Sequence, residues 1–271
     1  MVRDFTYDAY ERLIDAVVER DSETLTVREY VARERLPERF FLMRHDVDRK
    51  PENALDMARI EADAGVATSY YFRSIDKTYR PELFREIEAL GHEVGYHYED
   101  VDRADGDPAA AHESFADNLA AFREHVDVDT VSMHGNPLTP HDNRELWEAG
   151  EFDDYDLLGE VYLSIDFTEA VYFSDTNRTW YDEKTMVNDW PVGPARKPEQ
   201  VETTEDLIDL VESERIPRLY LLVHPNRWAD SYPEWVAEVT KDAVTNVGKY
   251  GLWLARSIDD DDTEDGSYGR A

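Results

Sequence analysis

The sequence predicts an α/β fold built on a parallel sheet, and three observations carry that prediction. From Phe40 onward, short apolar runs alternate with amphipathic stretches of helical period, the pattern of successive βαβ units. The helical stretches open at Pro51, Pro81 and Pro108, and Gly65 and Gly91 stand as stops. Polar clusters also sit where apolar runs end: Arg44-His45-Asp46-Val47-Asp48, Gly91-His92-Glu93-Val94-Gly95-Tyr96-His97 and Leu221-Leu222-Val223-His224-Pro225. In parallel α/β folds, binding groups gather at the carboxyl ends of the strands. Carboxylates and imidazoles are costly beside buried strands unless something pairs with them or binds them. Three such clusters therefore point to one polar site assembled from separate strand ends.

Residues 1–38 read as an N-terminal helical segment packed on the sheet, with Tyr10, Leu13, Ile14 and Val17 at helical spacing and a second short piece at Tyr30-Val31. Phe40-Phe41-Leu42-Met43 is an apolar strand. The helix from Pro51 places Leu55, Ala58 and Ala62 on one face. Residues 67–72 form the second strand, Leu83, Phe84, Ile87 and Leu90 mark the next helix, and residues 92–98 the third strand. A helix from Asp107-Pro108 carries Phe115, Leu119 and Phe122 on one face, and residues 128–133 form a fourth strand. Residues 150–200 read as a β-rich insertion, an excursion over the site. Two strands are expected there, at 160–165 and 170–174, followed by an aromatic and polar stretch at 180–194. Regularity returns with a helix over 204–214, a strand over 219–223, a helix over 233–247 and a last strand, Leu252-Trp253-Leu254. The tail, 259–271, begins with four aspartates and is expected to be solvated and mobile.

With 271 residues, 41% hydrophobic and 12% aromatic, the chain has enough apolar material for one large domain. The formal net charge is -33, from 62 acidic against 29 basic residues, of which only 6 are lysine. Self-repulsion on that scale is relieved by strong screening, and an acidic, lysine-poor surface resembles the proteins of salt-accumulating halophiles. The acidity argues against nucleic-acid binding, whose affinity comes largely from phosphate attraction. No run approaches the roughly 18 apolar residues of a membrane span, and Met1-Val2-Arg3-Asp4-Phe5 lacks a signal-peptide core. The expectation is a soluble protein of a high-salt cytoplasm. Without cysteine, metal ligands must be histidine and carboxylate.

Residues i and i+2 of a strand share a face, so Arg44, Asp46 and Asp48 project together with His45 and Val47 opposite. Two carboxylates held close need a cation, either a metal or Arg44. Alternation sets His97 opposite His92, making His97 the ligand candidate and His92 structural. His134, in Ser132-Met133-His134-Gly135-Asn136-Pro137, and His224 also end strands, whereas His112, His125 and His141 fall on helix or loop surfaces.

These motifs, in this order and spacing over about residues 39–256, resemble the polysaccharide deacetylases, the NodB-homology group known as carbohydrate esterase family 4. They look closest to a divergent His-Asp-Val-Asp branch associated with surface-polysaccharide synthesis. The resemblance implies a distorted parallel (β/α) barrel over 39–258. It also implies a first motif whose catalytic-base aspartate matches Asp46, with Val47 where the metal-ligand aspartate belongs and Asp48 as the expected substitute. In the family's His-x-x-x-His motif, His97 matches the first ligand, but Val101 occupies the second position, so His134 is the candidate replacement. An arginine-containing third motif is missing, and Arg44 is the candidate to hold the base. The late Leu-x-Leu-His motif carries the general acid, matched by His224.

The implied chemistry is metal-dependent removal of an acetyl group from an N-acetylated sugar or glycan intermediate. Asp46 would accept a proton from water and His224 would donate one to the leaving amine. The expected cofactor is a divalent ion, with zinc the consistent choice for a His/carboxylate set. Tyr162, Trp180, Tyr181 and Trp190 are candidates to stack on a sugar. Two other readings stand beside this one: a non-catalytic carbohydrate-binding protein on a degenerate deacetylase scaffold, which Val47 and Val101 recommend, and a sugar transferase holding a nucleotide diphosphate through Asp46-Val47-Asp48.

Overall fold

The structure, a computed structural model, describes residues 3–136, 139–180 and 201–241. Eight strands make one sheet: β1 (Glu23–Leu25), β2 (Phe40–Val47), β3 (Ser69–Phe72), β4 (Glu93–Tyr98), β5 (Thr130–Met133), β6 (Gly159–Glu160), β7 (Val171–Ser174) and β8 (Arg218–Val223). Their order is β6-β5-β4-β3-β2-β8-β7, and every pairing is parallel. The sheet curls into a half-barrel, the α/β architecture the alternating pattern predicts. β2 is its axis. Residues 40–45 pair with β8 along one edge, while β1 and β3 share the other, at residues 40–42 and 44–47.

Alternation in β2 and β8 divides the core. Phe40 and Leu42 pack with Tyr172, Tyr220 and Leu222. Phe41 and Met43 pack with Leu219, Leu221 and Val223 against the helices α1 (Tyr7–Val18) and α8 (Thr204–Glu212). Each such side chain, fully buried, contributes roughly 1.5–3 kcal/mol. α1 buries Tyr10, Leu13, Ile14 and Val17, and Thr6 caps it by accepting from Ala9 N at 3.2 Å, worth about 1 kcal/mol. A capping box of Thr26 and Glu29 starts α2 (Val27–Ala32). Between these helices lies β1, which the sequence reading places in helical territory. Three residues, of which only Leu25 is fully buried, are too few to display a period.

The remaining helices on β–α crossovers are α3 (Pro51–Asp63), α4 (Pro81–Ala89) and α6 (Pro108–Arg123), each with proline in its first turn as expected. A single turn, α5 (Asp100–Arg103), follows β4. The expected strand at 160–165 is corrected: only Gly159 and Glu160 are strand, and Val161–Ser164 is a helical turn, α7. The cause is Glu160, whose carboxylate accepts from Tyr162 N at 2.7 Å and Leu163 N at 3.0 Å and so caps the turn. β6 and β7 are members of the sheet, so this part of residues 150–200 is no excursion over the site. Residues 232–241 are helical. The aromatic stretch at 181–194, the remainder of the helix expected over 233–247, the strand expected at 252–254 and the acidic tail lie outside the described residues. Among the described residues no helix is long and apolar enough to cross a membrane.

Candidate metal centre and acid–base groups

β2 delivers two of the site's groups from one face and a third just beyond its end. Arg44 Nη2 donates to Asp46 Oδ2 at 3.2 Å and also bonds the Tyr162 hydroxyl, with its guanidinium carbon 4.3 Å from the Tyr162 ring centroid. Arg44 is wholly buried and Asp46 nearly so, and each partly neutralises the other. Burial raises the Asp46 carboxyl above its usual range, against the pull of Arg44 and His224. Asp46 Oδ1 has no hydrogen-bond partner among the described residues. The chain then turns sharply, with Lys50 at φ 53° before Pro51, leaving Asp48 half-buried at the strand's mouth.

The imidazoles come from the neighbouring pair of strands. β4 and β5 run parallel with His97 opposite Ser132. His134 extends that ladder by donating its N–H to Tyr98 O at 2.7 Å. His134 Nδ1 stands 3.1 Å from Asp48 Oδ1 and 3.3 Å from His97 Nε2, and His97 Nε2 stands 3.7 Å from Asp48 Oδ1. One donor atom from each residue thus falls within 4.8 Å of the other two. Metal–ligand bonds of about 2.0–2.2 Å in a tetrahedron set ligand atoms about 3.3 Å apart, so these three fit a small divalent ion. Two nitrogens and one carboxylate oxygen suit zinc among several such ions.

His97 is prepared for that role by its other nitrogen. Nδ1 lies 3.0 Å from Ser132 O and, facing a carbonyl, must carry the proton, which leaves the Nε2 lone pair toward Asp48. Burial and the neighbouring His134 push His97 well below the ordinary histidine range, so its ring is neutral. Burial opposes charge on Asp48 and His134 as well, but their mutual attraction prevails. Asp48 is held well below, and His134 above, its usual value.

His224 follows β8 and is held by a residue that the sequence reading missed. Its Nδ1 lies 2.7 Å from Asp175 Oδ1, and its backbone N–H donates to Asp175 Oδ2 at 2.9 Å. Trp228 Nε1 donates to the same Oδ2 at 3.0 Å, and Arg227 Nη1 to Asp175 O at 2.7 Å. Burial and Arg227 lower the His224 imidazole, but Asp175 outweighs them and raises it. His224 acts electrostatically on both Asp46 and Asp48. The signal for Asp175 is the same one that marks the other groups: it directly follows an apolar strand, Val171-Tyr172-Phe173-Ser174.

Several expected contributors lie elsewhere. Trp180 is a core residue packed with Phe5 and Trp228, its Nε1 donating to Thr204 Oγ1, and Tyr162 is buried on Arg44. Neither offers a face to a sugar. Tyr181 and Trp190 lie outside the described residues. His92 donates to Ala58 O and accepts from Thr68 N, a structural role as expected. His112, His125 and His141 contact Tyr155, Arg85 and Asp105, away from the cluster. Val47 and Val101 are core residues, so α5 offers no imidazole.

No family model and no curated protein matches the chain. Among solved structures, it is similar to a carbohydrate esterase family 4 (CE4) pseudoenzyme from Bacillus anthracis, at 13% identity and a TM-score of 0.37, covering 76% of this chain and 60% of that one. It is similar also to a mutant of that pseudoenzyme with restored enzymatic activity, at 14% identity and a TM-score of 0.38, covering 76% and 63%. The chain spans about three-fifths of the length of these two structures.

Proposed function

We infer that this chain is a metal-dependent hydrolase of the carbohydrate-deacetylase type, acting on an N-acetylated sugar. The observation that carries this reading is the convergence of Asp48, His97 and His134 on one point, beside Asp46. A divalent ion there would supply Lewis acidity, polarising an amide carbonyl and making water a better nucleophile near neutral pH. Asp46 would serve as the base, a role supported by Arg44 occupying Oδ2 while Oδ1 remains able to take a proton from water. His224 would serve as the acid: Asp175 holds Nδ1, which leaves Nε2 to protonate the departing amine. Each such group typically contributes roughly 10²–10⁴-fold.

The test combines zinc content in molar salt with acetate release from N-acetylglucosamine oligomers. Asp48→Ala, His97→Ala and His134→Ala should each lose metal and turnover together. Asp46→Asn should keep the metal and lose about 10²–10⁴ in rate. Turnover surviving in His97→Ala, or a wild type that takes up no metal, would sink the reading. The packed Val47 and Val101, at positions where the resemblance expects ligands, favour a second reading as a sugar-binding protein without catalysis. Metal and sugar both bound with no acetate released would decide for it.

A further inference from the structure

One buried carboxylate beside the candidate centre has no part in the chemistry above. Glu99 follows β4 directly and is 6% exposed. Its Oε2 lies 4.0 Å from His134 Nε2, the ring nitrogen opposite the one that faces Asp48. Arg73 Nη2, 2.5 Å from Oε2, holds the oxygen on the His134 side, while the partly exposed Arg103 Nη2 lies 2.8 Å from Oε1, on the other side. The backbone of His134 is pinned as firmly. Its N–H donates to Tyr98 O, and its carbonyl accepts from Asn143 Nδ2 at 2.8 Å; Asn143 Oδ1 accepts in turn from Asp102 N at 3.1 Å. With the main chain held on both sides, rotation of the ring is the freedom left to His134.

An imidazole binds a cation best when the proton on its other nitrogen has an acceptor, which fixes both tautomer and ring orientation. His97 has Ser132 O for this task. The geometry points to Glu99 as the corresponding positioning residue for His134, holding Nε2 protonated and Nδ1 turned toward Asp48 and His97. This rests on the metal reading of the site. The 4.0 Å separation exceeds a direct hydrogen bond, so the carboxylate acts on Nε2 by attraction at this distance, and a direct bond would require the imidazole to turn toward it. The stretch around residue 101, where the family resemblance expects an imidazole, thus serves the centre indirectly: it supplies the carboxylate behind a ligand carried by the next strand.

The test measures zinc and cobalt(II) affinity of the full chain in molar potassium chloride, with the thermal midpoint of the metal-stripped protein alongside. Glu99→Gln should weaken zinc binding about 10- to 100-fold and shift the cobalt(II) absorption bands. Arg103→Gln, which removes a partner from the Oε1 side only, should stay within about twofold of wild type. Wild-type affinity in Glu99→Gln would overturn the inference, as would equal losses in Glu99→Gln and Arg103→Gln. Should Glu99→Gln fail to fold, Glu99→Asp keeps the charge but withdraws the carboxylate from His134. Undiminished zinc affinity there would overturn the inference, and about a tenfold loss with an unchanged metal-stripped midpoint would support it. A wild type that takes up neither metal would overturn the metal reading itself, whereas metal uptake insensitive to Glu99 would overturn only its role.

Discussion

His45 and Asp46 are adjacent in β2, yet the carboxylates on the two faces of the strand are treated in opposite ways. On His45's side stands Glu61 of α3, wholly buried. The Tyr10 hydroxyl and His45 Nε2, the latter at 2.7 Å, bond its Oε1, and Thr68 Oγ1 and the Tyr70 hydroxyl donate to Oε2, each at 2.7 Å. On Asp46's side, one carboxylate oxygen has Arg44 and the other has no hydrogen-bond partner among the described residues, while Asp48 faces two imidazoles. Both clusters are buried and charged. The Glu61 carboxylate has its bonding capacity filled by the fold itself, whereas the Asp46–Asp48 cluster has donor atoms to spare. Burial with saturation marks a structural network, and burial with spare capacity marks a site.

Breaking each network separately gives the largest expected effects. Glu61→Gln sets amide hydrogens against several donors and should cost about 3–5 kcal/mol in denaturant unfolding, with zinc affinity unchanged. His134→Ala should do the reverse, abolishing metal binding while the metal-stripped protein stays within about 1 kcal/mol of wild type. If Glu61→Gln unfolds like wild type, the contrast between the faces is wrong.

Acid sharpens the same contrast at somewhat smaller scale. Burial alone would raise the Glu61 carboxyl, but His45, His92 and Tyr10 outweigh it and bring it from 4.5 to about 2. Because the folded value lies below the unfolded one, this group's stabilisation is complete above about pH 4.5 and disappears as pH falls to about 2. The amount is on the order of 3 kcal/mol. Unfolding free energy measured across that window should fall with acid in the wild type and more gently in Glu61→Gln. Parallel slopes would show that Glu61 is not the group responsible.

The smallest effect belongs to an ion pair with neither burial nor saturation. Arg12 Nη1 and Glu205 Oε2 are 2.6 Å apart, but their side chains are more than half exposed. Arg12→Ala should change stability by no more than about 0.5 kcal/mol, and molar salt should erase even that. A loss approaching that of Glu61→Gln would show that ion pairing rather than enclosure sets the scale.

The parts legible in the sequence are those whose signal spans several residues. β2, α3, α4, α6 and β8 carry long apolar periods or proline starts. Asp48, His97 and His134 stand out because each follows an apolar run that could not hold a charge unaided. β1 and α7 do not show, because three or four residues establish no period, and α7 depends on a cap made by Glu160. Glu61 lies three and four residues beyond Ala58 and Met57, so helical spacing places it on the buried face. A lone glutamate on a helix nonetheless reads as solvated until Tyr10, Thr68 and Tyr70 arrive from elsewhere in the chain. Asp175 and Glu99 both follow strands directly, as the other site residues do. Their partners, His224, Arg73 and Arg103, give them meaning only in three dimensions.

The pairing of His97 with Ser132, and of Tyr98 with Met133, has a mechanical outcome. Two imidazoles borne by adjoining, hydrogen-bonded strands have little room to drift apart, so an ion seated between them would act as a rivet through the seam of β4 and β5. Peptide amides along that seam should then exchange with deuterium more slowly in the loaded protein than in the stripped one, while those of the distant β7–β8 seam keep their pace.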